Sequence, residues 1–241
     1  MEWTDEAIVL GARRHGDSHA VLSVLSREHG RHLGLVRGTR RLAGALQPGN
    51  SVRVTWRGRL SDHLGTYTVE PAGDRAGAAM EHALTLAALS AACAVASGAL
   101  PERETHTPIY ESFRVLLDTL DNRDVWPALY VRWELGLLQD LGFGLDLSRC
   151  AATGTRDDLA FVSPRTGRAV SAGAAAPWEG RLFPLPAFLL GRQAGAVTRA
   201  DVLAGLNLSE YFLERRIFSP HNRPLPPARL RLAELLAAVE P

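Results

Sequence analysis

Short apolar runs separated by turn residues occupy the first seventy residues of the chain. Three of these runs lie at residues 7–10, 20–25 and 33–36, and a further run lies around residues 63–69. Between them, Val52, Val54 and Trp56 alternate strictly with Arg53, Thr55 and Arg57, which is the period of a half-buried strand. Five short strands in about 70 residues predict a small closed β-barrel such as an OB-fold.

The apolar spacing becomes helical after Pro71. Helices are predicted over residues 80–98, from Thr107 onward, and over residues 126–141. The helix over 126–141 is apolar nearly all round, and its polar positions Arg132 and Gln139 share one narrow stripe. Residues 143–185 are irregular, and further helices are predicted over residues 187–192, 199–206, 209–217 and 228–239. The expected class is α+β, with a barrel domain over residues 1–75 and a mostly helical domain over residues 76–241.

Composition places the chain among globular proteins. It has 241 residues, of which 46% are hydrophobic and 22% charged, and it has no apolar stretch long enough to span a membrane. The N-terminus is acidic where a signal peptide would be basic. The two cysteines, Cys93 and Cys150, cannot form a disulfide framework. A cytoplasmic protein without membrane partners is therefore expected.

Charge is distributed unevenly along the barrel segment. All 27 basic residues are arginine, a compositional bias that makes their position more informative than their identity. Residues 27–60 hold eight arginines against the single acidic residue Glu28. Such an excess is typical of phosphate binding. The predicted nucleic-acid contacts are Arg31, Arg37, Arg40, Arg41, Arg53, Arg57 and Arg59. The alternative is a solvated strand face in an arginine-biased proteome.

Catalytic motifs are missing from the sequence. The chain has no lysine, so it cannot contain a Walker-type phosphate loop, and no glycine-rich dinucleotide motif follows a strand. It also lacks Gly-x-Ser-x-Gly and His-Glu-x-x-His. We therefore expect a protein that is not an enzyme and that uses no cofactor.

An insertion at about residues 145–185 has the spacing of a zinc knuckle without its ligands. Cys150 is followed by Thr153, and Ser171 by Ala174, where a zinc ribbon has two Cys-x-x-Cys pairs. One thiolate cannot hold a structural zinc ion. The insertion is therefore predicted to be a degenerate, metal-free zinc-ribbon-like element.

Five stretches, taken in order, resemble the bacterial RecO family. Glu6 to Ser18 (EAIVLGARRHGDS) resembles the opening strand and turn of that family, and Glu28 to Gly38 (EHGRHLGLVRG) resembles its third strand and basic loop. Leu46-Gln-Pro-Gly49 precedes the fourth strand as in the family. The other two stretches are the central helix with its ending turn, Arg132 to Gly144 (RWELGLLQDLGFG), and the start of the knuckle, Leu145 to Cys150 (LDLSRC).

The resemblance implies a function in recombinational DNA repair. RecO proteins bind single- and double-stranded DNA, anneal complementary strands, act with RecR and often RecF, and help load RecA onto strands coated by single-strand-binding protein. They have no known catalytic site. Their four knuckle cysteines are reduced here to Cys150, so zinc does not carry over.

A second binding site is implied on the helical domain. Some family members bind there the acidic, Phe-ended tail of single-strand-binding protein, and Arg132 beside Trp133 is the candidate contact. The alternative for Arg132 is a buried or paired helix arginine. For the whole protein, the alternative function is a non-enzymatic adaptor whose basic barrel binds an acidic protein partner.

Overall fold

The chain divides into two compact units in a computed structural model that describes residues 1–191 and 196–238. The first unit comprises Met1–Arg123 with Pro226–Leu232, and the second comprises Asp124–Leu225 with Ala233–Pro241. In the described ranges no helix is long and apolar enough to cross a membrane.

The first unit contains a five-stranded barrel. Its strands run in the order β1-β2-β3-β5-β4, and β4 also pairs with β1, so the ring of pairings closes. The pairings are antiparallel except β3 with β5, which are parallel and joined only at Leu35–Thr66 and Val36–Tyr67. The strands are β1 (Glu2–His15), β2 (His19–Ser26), β3 (Gly30–Arg37), β4 (Ser51–Arg57) and β5 (Thr66–Gly73). The predicted α+β class with an OB-fold-like barrel is confirmed.

Alternation along the strands builds the barrel core. The β4 residues Val52, Val54 and Trp56 are almost completely buried, as predicted, and the intervening arginines face outward. The indole Nε1 of Trp56 donates a hydrogen bond to the Leu64 carbonyl oxygen at 3.0 Å. The ring of Tyr67 lies against Gly34, where an added Cβ would come within 2.4 Å of a ring carbon. Only glycine at that position allows the ring to cover the strand.

Four helices accompany the barrel strands up to Arg123, the first of them between β3 and β4 and the other three after β5. They are α1 (Thr39–Leu42), α2 (Arg75–Ala79), α3 (Ala83–Ala99) and α4 (Thr107–Asp118). Helix α3 packs against β1 and β2, and its small residues Ala88, Ala91 and Ala92 are fully buried. The Cys93 thiol lies 3.8 Å from the Val9 carbonyl oxygen.

The second unit is mostly helical and contains a small sheet of order β7-β6-β8. Its helices α5 (Trp126–Asp140) and α6 (Arg199–Leu213) pack closely, because Gly205 leaves room for Val131, whose Cγ1 would lie 2.8 Å from an added Cβ. The sheet strands are β6 (Leu159–Val162), β7 (Ala169–Ser171) and β8 (Phe183–Pro184), and the last helix of the chain is α7 (Pro227–Ala238).

Several element boundaries differ from the sequence prediction. β1 has 14 residues because it pairs with β4 at its start and with β2 at its end. The two helices predicted over residues 199–217 form one helix that ends in a π turn, Glu214–Phe218. The predicted helix over 187–192 is a 3-10 turn, Ala187–Leu190. Positions 192 and 239, at the ends of two predicted helices, lie outside the described residues.

Candidate nucleic-acid interface

The outward face of β4 carries the predicted arginines Arg53 and Arg57. The register places Arg57 opposite Glu2, and the two side chains form an ion pair of 2.7 Å. The hydrogen bond from Arg57 lowers the pKa of the Glu2 carboxyl. Arg53 lies opposite Glu6 on β1 and Glu70 on β5. Because these two arginines face three carboxylates across the strands, they leave no excess of positive charge on this face.

Arg31 and Arg59 lie outside that face and differ from each other. Arg31 is half-buried on β3, where its Nε donates to the Leu100 carbonyl oxygen at 2.7 Å and its guanidinium lies 3.3 Å from Glu102. It therefore ties the barrel to the segment after α3. Arg59 is exposed in the loop between β4 and β5.

The remaining predicted contacts lie near the C-terminal end of β1, close to two arginines that were not predicted, Arg13 and Arg14. Arg37, Arg40 and Arg41 are exposed at the end of β3 and in α1. The β1–β2 hairpin comes next to them because His19 pairs with Arg37 and the Ser18 carbonyl oxygen accepts a 2.9 Å hydrogen bond from the Gly38 amide. We call the resulting group the hairpin-end cluster, and its members are Arg13, Arg14, Arg37, Arg40 and Arg41.

The hairpin-end cluster keeps its positive charge. Asp17 is the single acidic residue in residues 12–20 and 36–48, which hold the five arginines. In the described ranges, none of the five forms an ion pair with a carboxylate. Arg14 and Arg40 share the rim of a cavity of about 410 Å³. The first apolar run of the sequence, residues 7–10, ends before Arg13 and Arg14, and only the pairing of β1 with β2 brings them to the cluster.

A groove lies on the exposed stripe of α5 in the second unit. Its volume is about 380 Å³, and its lining includes Arg132, Leu135, Leu145 and Leu147. The Arg132 guanidinium donates a hydrogen bond to the Phe188 carbonyl oxygen and lies 6.0 Å from the centre of the Phe188 ring. We call this feature the α5 groove. Trp133 is buried on another side of the helix and does not line it.

Cys150 is in contact with two of the other three knuckle positions, Thr153 and Ser171. Its sulfur lies 3.3 Å from the amide nitrogen and 3.4 Å from the hydroxyl oxygen of Ser171, and both groups donate to it. Burial acts to raise the pKa of this thiol, but hydrogen bonds from Ser171 and Thr153 outweigh it and lower the pKa to about 6. One sulfur, two hydroxyls and the methyl group of Ala174 do not fit a structural zinc ion. That the insertion at about residues 145–185 is a degenerate zinc ribbon stays a prediction.

Comparison with known proteins covers both units. The family model Recombination protein O N terminal matches residues 1–73, and Recombination protein O C terminal matches residues 80–224. The chain is 52% identical over 240 residues to the DNA repair protein RecO of Cereibacter sphaeroides, covering 98% of this chain and 99% of that protein.

Two further relatives agree with that match. The identity is 53% over 239 residues to the DNA repair protein RecO of Phenylobacterium zucineum, covering 98% of each chain. It is 50% over 242 residues to that of Caulobacter vibrioides, covering 100% of this chain and 99% of the relative. With two family models in order and full-length identities near one half, the chain belongs to the RecO family of DNA repair proteins.

Proposed function

We propose that this protein is a non-enzymatic recombination mediator that binds single- and double-stranded DNA through the hairpin-end cluster. The observation that carries the proposal is five exposed arginines at one end of an OB-fold-like barrel, without carboxylate ion pairs in the described ranges. Counterion release makes such a cluster a strong, sequence-independent phosphate site. Family membership supports the biological setting of DNA repair.

The mediator function has three parts, which are carried over from the family resemblance. The protein anneals complementary strands, it acts with RecR and RecF, and it helps load RecA onto strands coated by single-strand-binding protein. No cofactor enters any of these steps, since each one is a binding exchange. Among the predicted DNA contacts, Arg37, Arg40 and Arg41 carry most of the affinity, while Arg31, Arg53, Arg57 and Arg59 contribute less.

The α5 groove supports binding of single-strand-binding protein. An aliphatic floor with one guanidinium at its rim suits the Phe-ended, acidic tail of that protein, because the ring can enter the groove and the terminal carboxylate can reach the cation. Arg132→Ala should weaken binding of a synthetic acidic peptide ending in Phe about tenfold. Arg123→Ala, at another exposed arginine, is the control and should leave peptide binding unchanged.

Strand annealing tests the mediator directly. Complementary oligonucleotides, one labelled with a donor and the other with an acceptor dye, are mixed bare or coated with single-strand-binding protein. We expect the protein to accelerate annealing of both, and Arg132→Ala to slow only the coated reaction. No acceleration of either reaction would contradict the mediator function.

A salt titration separates the mediator from an adaptor that binds an acidic protein. The observed DNA affinity should fall linearly with log salt at a slope of about 0.7 per contacted phosphate of a single strand. No DNA binding even at low salt would favour the adaptor.

A further inference from the structure

The cavity at the hairpin end has features that simple phosphate contact does not need. Its volume is about 410 Å³, within the range of small-molecule sites. The buried residues Ala20 and Leu46 form an apolar floor, and the exposed residues Arg14 and Arg40 also line the cavity. A flat phosphate-binding surface would require only the two cations.

Hydrogen bonds hold one wall of this cavity in a defined shape. In the segment after α1, the Leu46 amide donates to the Leu42 carbonyl oxygen at 3.0 Å, and Asn50 Nδ2 donates to the Gly44 carbonyl oxygen at 2.8 Å. The Gly49 amide donates to the Val9 carbonyl oxygen on β1 at 2.8 Å. Hydrogen bonds within the segment and to the barrel therefore fix this wall before any ligand binds. A wall that is already ordered loses less conformational entropy on binding.

Polar groups in the cavity complement a nucleobase edge. Gln47, Thr39 and Asp17 are among the lining residues and supply an amide, a hydroxyl and a carboxylate. The Gln47 Nε2 donates to the Ala43 carbonyl oxygen at 3.2 Å. Asp17 is not within ion-pair distance of Arg14 or Arg40 in the described part of the chain, so both cations remain available to a phosphate. Two cations, an apolar floor and a few polar groups match a nucleotide better than a phosphate alone.

We propose that this cavity binds one unpaired nucleotide of a DNA strand, with the base on the apolar floor and its phosphate between Arg14 and Arg40. The proposal rests on the proposed DNA-binding function and deepens it. A base in a duplex can enter only after flipping out of its stack, which costs free energy. The cavity therefore makes the protein prefer single strands over duplexes of the same charge.

Filling the cavity without changing charge tests the proposal. Ala12→Leu with Ala43→Leu places bulk into the cavity from two exposed positions, and Ala72→Leu, exposed on β5 outside it, is the control. The probes are a labelled 20-nucleotide single strand, the same strand with abasic sites throughout, and the blunt duplex. The abasic strand carries the same phosphates but no base.

We expect the natural protein to bind the normal strand about tenfold more tightly than the abasic strand, since burying a base-sized apolar surface contributes that much. The filled variant should lose this preference and keep its affinity for the abasic strand and the duplex. Ala43→Leu alone serves if the double variant does not fold. A filled variant that keeps the full preference would overturn the nucleotide site, whereas an unmutated protein that binds none of the probes would overturn the proposed function itself.

Discussion

Two groups of arginines lie on the same barrel at opposite ends of β1, and they differ in their partners. On the β4 face, Arg57 forms an ion pair with Glu2, and Arg53 lies between Glu6 and Glu70 across the strands. At the hairpin end, five arginines share their surroundings with Asp17 as the single acidic neighbour in sequence. Both groups include arginines of the segment 27–60, yet only the second retains a large net positive charge.

The difference shows that cross-strand register decides which positive charge is left for a ligand. Opposite charges on directly paired positions attract each other and reduce the local potential. An exposed ion pair such as Arg57–Glu2 adds little to stability, but a phosphate must displace Glu2 before it can gain the full charge of Arg57. The hairpin-end arginines need no such displacement.

The largest expected effect comes from matched triple substitutions. Arg37→Ala with Arg40→Ala and Arg41→Ala should weaken single-strand DNA binding about 30- to 100-fold at low salt and lower the salt slope by about 2. Arg53→Ala with Arg57→Ala and Arg59→Ala removes the same charge and should weaken it only a few-fold, about twofold to fivefold. Fluorescence anisotropy over a salt series measures both. An equal loss of DNA affinity in the two triple variants would show that the hairpin-end cluster and the β4 face do not differ in DNA binding.

Acidification should lower the stability of the barrel while leaving the charge of its arginines unchanged. Burial lowers the pKa of His32 to about 4, and its ring packs near Trp3, Trp56 and Tyr67. The unfolded chain, with an ordinary histidine pKa of 6.5, takes up a proton first as pH falls. His32 therefore destabilises the barrel progressively between pH 6.5 and 4, whereas the arginines stay charged.

His32→Leu should remove this pH dependence. Between pH 7.5 and pH 5, the unmutated protein should lose about 2 kcal/mol more of its free energy of unfolding than the variant does. Urea unfolding at the two pH values measures the difference. The same loss in both proteins would show that His32 does not carry it, and DNA affinity of the folded protein should change little over this range.

Neutralising the acidic partners should make the β4 face resemble the hairpin end. Glu2→Gln with Glu70→Gln is expected to raise DNA affinity about threefold, because Arg57 loses its ion-pair partner and Arg53 loses one of the two carboxylates that face it. Glu81→Gln with Asp121→Asn, at two exposed acids elsewhere in the first unit, makes the same charge change and is the control. An equal gain in both pairs would indicate a general charge effect instead of a local one.

The smallest expected effect is the ionisation of the Cys150 thiol, which accepts hydrogen bonds within the second unit. The hydrogen bonds of Ser171 and Thr153 outweigh burial and lower the pKa of Cys150 to about 6, whereas burial raises that of Cys93 to about 12. Thiolate absorbance near 240 nm should therefore show one step near pH 6, and Cys150→Ser should remove it. Any stability that the thiolate contributes is present above its ordinary pKa of 9 and is lost as pH falls toward 6. The lack of any step below pH 8 would contradict the hydrogen-bonded thiolate.

Much of the fold could be predicted because its signals are local. Alternation in β4 identified the buried side of the strand, as predicted. In α5 the sequence placed Arg132, Gly136 and Gln139 on one narrow stripe, and the structure shows that this stripe is exposed. The full length of β1 was not predictable in this way. Its outer residues are polar, and they belong to a strand only because β4 and β2 supply hydrogen-bond partners.

The sequence by itself determined that the chain is α+β, that an OB-fold-like barrel precedes helices, and that positive charge concentrates near β3 and β4. These properties follow from side-chain periodicity and composition, which are local. Only the tertiary structure decided that Arg57 forms an ion pair with Glu2 and that Arg14 and Arg40 line the same cavity. Those neighbours are distant along the chain, and strand register, a property of the folded barrel, sets the distance between their charges.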